Sequence, residues 1–168
     1  SNAIGLPTNI PISSLNETTR NTTLVYDSKW RYVEEETNDN FLFTTKKSHD
    51  PKNGNVLTET NILNKTTTFN YDEFGNLMLT TLPDNNKITV TRGWTGGSPS
   101  NTLYFINETA DGSPPVKTYY SHLGQKLLTE TMGFNSTIFI KSEYNSKGQI
   151  FKEYEPSFSS SGGSATSY

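Results

Sequence analysis

The chain has 168 residues, 31% hydrophobic and 18% charged, with a formal charge of −3 and no cysteine. The apolar share falls below the roughly 45–50% of ordinary globular domains, which argues against one large core, while 12% aromatic residues are too many for a disordered chain. These figures exclude a helical bundle, a transmembrane protein, a disulfide scaffold and a cysteine-ligated metal site, and the lack of a basic stripe disfavours a nucleic-acid surface.

Threonine occurs 25 times and asparagine 18 times, against three alanines. Threonine and aromatics favour strands, asparagine favours turns, and the missing alanine is what long helices use. In chain order, Ser1-Asn2-Ala3 reads as the remnant of a cleaved tag, and residues 1–23 as an irregular lead-in. Tyr26-Asp27-Ser28-Lys29-Trp30-Arg31 then begins a series. His49-Asp50-Pro51-Lys52-Asn53-Gly54-Asn55-Val56 follows with one extra residue. Tyr71-Asp72-Glu73-Phe74-Gly75-Asn76-Leu77, Tyr120-Ser121-His122-Leu123-Gly124-Gln125-Lys126 and Tyr144-Asn145-Ser146-Lys147-Gly148-Gln149-Ile150 complete it. The starts at 26, 49, 71, 120 and 144 are separated by 23, 22, 49 and 24 residues, and the step of 49 is close to twice the others. A degenerate copy is therefore expected near Trp94-Thr95-Gly96-Gly97, with Leu103 to Ile106 as its tail.

The unit has a physical reading as a hairpin. Asp72 suits the first position of a type I turn, where its carboxylate accepts backbone N–H groups, and Gly75 takes the left-handed conformation that closes a bulged hairpin. Thr67, Phe69 and Tyr71 alternate on the entering strand, and Leu77 and Leu79 on the leaving strand. Pro83-Asp84-Asn85-Asn86 makes the return turn, and Ile88 and Val90 open the next strand. Asp27, Asp50, Gly54, Gly124 and Gly148 fill the same turn positions in the other copies, alongside the motif tyrosines Tyr26, Tyr120 and Tyr144. Trp30, in place of the glycine, predicts a different and looser first turn. Gly93 to Pro115 reads as a strand between two long loops, a drifted repeat in preference to a binding loop presenting Trp94. Ser157 to Tyr168, mostly serine and glycine, reads as a linker-like tail.

The series Tyr-Asp-x-x-Gly, best seen at Tyr71 to Gly75, Tyr120 to Gly124 and Tyr144 to Gly148, resembles the YD repeat of the Rhs family over residues 24–156. The resemblance implies bacterial Rhs and wall-associated proteins, with relatives in the C components of insecticidal toxin complexes and in animal teneurins. In those families YD repeats form a long β-sheet that spirals into a hollow shell, sometimes around a toxin domain. The conserved core that cuts the chain in some members has no counterpart here, so no catalytic residue is carried over.

Candidate chemistry is sparse. His49 and His122 both occupy turn positions, with no second ligand at helpful spacing. Asp72-Glu73 and Asp84-Asn85 could cradle calcium, but turn formation explains the same residues. The Glu34-Glu35-Glu36 run reads as a solvated strand end. Five Asn-x-Ser/Thr triplets, at Asn16, Asn21, Asn64, Asn107 and Asn135, are accounted for by the abundance of both residue types. The strand aromatics Phe69, Tyr71, Tyr119, Tyr120, Phe139, Tyr144, Phe151 and Tyr154 read as sheet-face packing in preference to a platform that stacks on sugar rings. Trp94 and Tyr104 are the candidates for a carbohydrate- or partner-binding surface.

The expectation is an all-β, antiparallel, twisted and curved sheet of YD hairpins, open at two edges. Its role is read as a non-catalytic structural segment of a large secreted or cell-surface bacterial protein, part of a shell or scaffold presenting a toxin or effector. The alternative is a carbohydrate- or protein-binding β-module. Expected partners are the rest of its own polypeptide, glycans or another surface protein, and a second copy through edge pairing. No cofactor, nucleic acid or membrane span is expected.

Overall fold

In the computed structural model, residues 1, 4–13 and 18–168 are described. Asn2 and Ala3 of the tag-like start and the Asn16 triplet's asparagine lie outside them. The architecture is all-β, with fourteen strands and no helix among the described residues. The chain divides into two compact units, Ser1–Asn86 and Lys87–Tyr168.

The first unit is an antiparallel meander of β1 (Asn9–Ile12), β2 (Arg20–Tyr26), β3 (Val33–Asn38), β4 (Phe43–His49), β5 (Val56–Thr60), β6 (Thr66–Tyr71) and β7 (Leu77–Thr81). The second is a meander of β8 (Lys87–Trp94), β9 (Tyr104–Ala110), β10 (Ser113–Tyr120), β11 (Lys126–Met132), β12 (Thr137–Tyr144), β13 (Ile150–Tyr154) and β14 (Ala165–Ser167). Within each unit every strand packs only on its sequence neighbours, so each unit is a single β layer with its hairpin turns alternating between two rims.

A single layer leaves little interior. Among the described residues no side chain is fully buried, and the buried apolar ones are Tyr119 at 7% exposure and Leu128 at 5%. These two are cross-strand partners on β10 and β11. Phe105 leans on Tyr119 with ring centroids 6.3 Å apart, and the Lys117 ammonium lies 4.2 Å from the Phe105 centroid. The threonines have a structural use in the first unit. Facing hydroxyls bond across the strands at Thr37–Thr44 (2.9 Å), Ser48–Thr58 (2.6 Å) and Thr60–Thr66 (2.8 Å). Such cross-strand pairs contribute about 0.2–1 kcal/mol each and need no apolar residue.

Four expectations are corrected. The stretch 1–23 is not merely irregular, because β1 and the start of β2 lie within it and pair in register from Asn9↔Thr23 to Ile12↔Arg20. The Ser/Gly tail is not a free linker. Ser157 bridges Phe139, β14 pairs with β13, and the Tyr168 hydroxyl donates to the Glu153 carboxylate at 2.9 Å. Small residues let the chain double back closely enough to satisfy its own backbone groups. The second long loop around Pro114 and Pro115 is also absent. Asp111-Gly112 forms a tight turn, and both prolines lie within β10 where the register shifts between Ser113 and Val116. A bulge is where a strand tolerates a missing N–H. The long loop on the other side, Thr95 to Leu103, is present and closed by the Thr95 N–H to the Leu103 carbonyl. The Trp30 turn, finally, is not loose: its N–H donates to the Asp27 carbonyl.

Candidate functional site

The repeated feature of both units is one turn. In Asp72 to Asn76 the Gly75 N–H donates to the Asp72 carbonyl and the Asp72 N–H to the Asn76 carbonyl. The Asp72 Oδ1 accepts the N–H groups of Phe74 and Asn76, at 3.0 and 2.8 Å. The copies without aspartate keep this geometry. Ser121 Oγ accepts the N–H of Leu123 and of Gln125, and Asn145 Oδ1 accepts those of Lys147 and Gln149. Any short side-chain oxygen at that position satisfies the same two donors. Asp50, in the longer copy, accepts the Lys52 N–H, and Gly54 closes back to the Asp50 carbonyl. All five turns are preceded by a register shift at the strand end, beside Tyr26, His49, Tyr71, Tyr120 and Tyr144.

Trp30 does not loosen its turn. It adopts φ of 60°, in the same left-handed region as Gly54 (81°), Gly75 (82°), Gly124 (76°) and Gly148 (78°). Its N–H donates to the Asp27 carbonyl as the glycine N–H does elsewhere. The turn is one residue longer, and Arg31 explains its order. Asp27 accepts the N–H groups of Arg31 and Tyr32 and the Arg31 guanidinium, whose remaining arm reaches the Pro51 carbonyl of the next turn at 2.8 Å. Burial pushes the Asp27 carboxyl up, but those backbone N–H groups and the guanidinium outweigh it and hold it below the usual aspartate range.

The motif tyrosines latch each hairpin to the one before. Tyr71 Oη donates to the Val56 carbonyl at 2.9 Å, Tyr144 Oη to the Lys126 carbonyl at 3.2 Å, and Tyr26 Oη to the Pro7 carbonyl at 2.8 Å. Val56 and Lys126 are equivalent, each two residues past the turn glycine. Where that bond is absent, ring stacking replaces it. Tyr120 stacks on Tyr104 at 5.0 Å, and His49, in the tyrosine position, stacks on Tyr32 at 4.7 Å. His49 Nδ1 is buried without a hydrogen-bond partner among the described residues. The turn glycines also approach the preceding hairpin. A Cβ on Gly54 would lie 2.7 Å from Tyr32 Oη, and one on Gly75 or Gly148 would lie 3.4 Å from the amide of Asn55 or Gln125.

Trp94 and Tyr104 are cross-strand partners, so both stand on one side of the second unit's sheet, and Tyr104 in turn pairs with Tyr120. Trp94 is 77% exposed, whereas Tyr104 is half-buried by its stack. Neither lines the open groove of about 990 Å³ in that unit. Its walls include Thr102, Gln125, Glu130, Phe139, Lys141 and Glu143. Lys141 and Tyr154 both hydrogen-bond the Glu143 carboxylate and hold it low against a smaller effect of burial, so it sits there as an ionised acceptor. The sequence reading missed this groove, whose walls come from the Pro/Ser loop 98–102 and the serine tail; the Gly/Pro/Ser clustering was the available signal.

His122 sits on an exposed turn, and the carboxylates of Asp72 and Asp84 are occupied by N–H donors and by the amides of Asn76 and Asn86. Among the described residues no group of three or more histidine, aspartate or glutamate side chains is placed so that it could hold a metal ion. No curated protein matches the chain. Residues 49–87 match the family model described as RHS Repeat, a span that runs through the Asp50 and Asp72 turns and the return turns between and after them. Over those residues the chain matches the RHS repeat, and the turns at Asp27, Ser121 and Asn145 repeat the same backbone closure outside the matched span.

Proposed function

We propose that this chain is a non-catalytic wall segment of a large secreted or cell-surface bacterial protein, one stretch of a shell or scaffold that encloses or presents a toxin or effector domain. The observation that carries this reading is the latch between hairpins. Neighbouring hairpins meet through a carbonyl for the motif tyrosine at Tyr26, Tyr71 and Tyr144 and through a stacked ring at His49 and Tyr120, yet no side chain among the described residues is fully buried. Such units are stabilised by what is stacked beside them, as in other repeat arrays. The natural partners are then further repeats of the same polypeptide. The test is a chain extended by several repeats: its unfolding midpoint should rise with each added hairpin, and electron microscopy should show a curling wall. A midpoint that stays constant with added repeats would overturn the proposal.

A second reading is a glycan- or protein-binding module, favoured by the register that puts exposed Trp94 beside Tyr104 and Tyr120. Binding on a glycan array that vanishes in Trp94→Ala would support it, and an array without signal would remove it.

A further inference from the structure

Of the eighteen asparagines in the chain, one is followed by glycine, and it lies in a YD turn. We infer that Asn53 is a site of covalent modification, a deamidation through a succinimide that converts the turn of the second hairpin to an aspartyl or isoaspartyl form. Asn53 is exposed, and its Oδ1 accepts the Asn55 N–H at 3.0 Å. That bond closes a ring of atoms around the Gly54 peptide and holds the side-chain amide against the stretch of backbone whose nitrogen must attack it. Gly54 has no Cβ to shield that nitrogen. The equivalent turn glycines follow Phe74, Leu123 and Lys147, which have no amide to offer.

The step balances without an oxidant or reductant. The Gly54 nitrogen forms a bond to Asn53 Cγ, the bond from Cγ to Nδ2 breaks, and the Gly54 amide proton departs with the ammonia. Water then opens the five-membered ring at either carbonyl. One opening restores a normal peptide bond with aspartate; the other leaves isoaspartate, whose extra carbon lies in the main chain. One contact opposes the attack, the bond from the Gly54 N–H to the Asp50 carbonyl at 2.9 Å. Opening of this turn, one residue longer than the Asp72 turn, is therefore the gate.

The consequence is structural. Gly54 fits beneath Tyr32 with no room for a Cβ, and Tyr32 stacks on His49. An added backbone carbon at position 53 moves Gly54 against that ring and unseats the second hairpin from the first. The site contrasts with Asp111-Gly112, where the Asp111 carboxylate is held by the Lys87 N–H at 2.9 Å and the Asp111 N–H by the Lys87 carbonyl.

The test incubates the folded chain in mildly alkaline buffer and follows its tryptic peptides by mass spectrometry. Deamidation reads as a gain of about one mass unit, and isoaspartate is labelled by an isoaspartyl methyltransferase. Conversion at Asn53 should run ahead of that at Asn135-Ser136 and Asn145-Ser146, and Asn53→Gln should abolish both the early mass gain and the label. The inference is overturned if Asn53 stays intact while Asn145 converts, or if Asn53 converts only after the chain is unfolded in urea.

Discussion

Replacing Gly54 with alanine imposes two separate costs, and the structure allows them to be measured apart. The first is conformational: φ of 81° puts the residue in the left-handed region, where a Cβ costs about 1–2 kcal/mol. The second is contact, because the new Cβ would stand 2.7 Å from Tyr32 Oη and 3.0 Å from two ring carbons. Tyr32 cannot swing aside freely. It stacks on His49 at 4.7 Å and lies under the Arg31 guanidinium at 5.1 Å. Disturbing a ring pair of that kind costs about 0.5–1.5 kcal/mol. Gly75→Ala carries the first cost alone, since its φ is 82° and the nearest atom is the Asn55 amide at an ordinary 3.4 Å. Gly54→Ala should therefore be less stable than Gly75→Ala by about 1 kcal/mol, which in a unit this size is about 4–8 °C in Tm.

The assay is thermal and urea unfolding of both variants, repeated in a Tyr32→Ala background. There the extra cost of Gly54→Ala should vanish while that of Gly75→Ala stays, giving a coupling energy of about 1 kcal/mol for the close pair. Equal destabilisation by the two alanines in the parent chain, or no change on removing Tyr32, would refute the argument that turn and ring fit against each other.

Other variants probe the remaining turn chemistry. Leu42 has φ of 54° and is 79% exposed, so Leu42→Gly relieves a left-handed strain of about 1–2 kcal/mol at the cost of about 0.5–1 kcal/mol of chain entropy, and a small rise in Tm is expected. Tyr71→Phe removes the donor to the Val56 carbonyl and should cost about 0.5–1.5 kcal/mol by urea unfolding. The more exposed latch at Tyr144 should cost less in Tyr144→Phe. Asp27 is held below its ordinary range, so its contribution is complete above the unfolded-state value near 3.8 and is lost as pH falls through the lower folded-state value. An acid titration of Tm should show a steeper fall for the parent than for Asp27→Asn.

What was legible in the sequence was what closes within a few residues. Asp72 and Gly75 specify their turn from within it, and Asn85, left-handed at 68° in the Pro83 return turn, does the same on the other rim. The sequence does not reveal bonds whose partners lie a whole hairpin away. Tyr71 and Val56 are fifteen residues apart and Tyr144 and Lys126 eighteen, and the motif tyrosine looks like face packing until its hydroxyl is placed. Trp30 misled because its intrinsic preference was weighed without Arg31, whose bonds to Asp27 fix the turn around it. Pro114 and Pro115 misled for a similar reason: two residues that break regular ladders sit where the ladder is already broken. Trp94 and Tyr104 are binding-surface candidates by residue type alone, and their shared side of the sheet follows only from the strand register.

The low apolar content has a mechanical consequence. A domain with an enclosed core couples distant side chains through that core, so substitutions far apart in sequence often interact. Here the stabilising bonds are the turn oxygens, the threonine pairs and the tyrosine latches, and each joins one hairpin to itself or to the next. Tyr26 and Tyr71 belong to the first unit but latch onto different hairpins, with β3 to β5 between their strands. Their phenylalanine substitutions should then add within about 0.3–0.5 kcal/mol, as independent sites do. A pair within one latch, Tyr32→Ala with Gly54→Ala, should depart from additivity by more than that. If the Tyr26→Phe and Tyr71→Phe costs instead reinforce each other, the unit is cooperative through contacts wider than neighbouring hairpins, and stability summed along the strip is the wrong description.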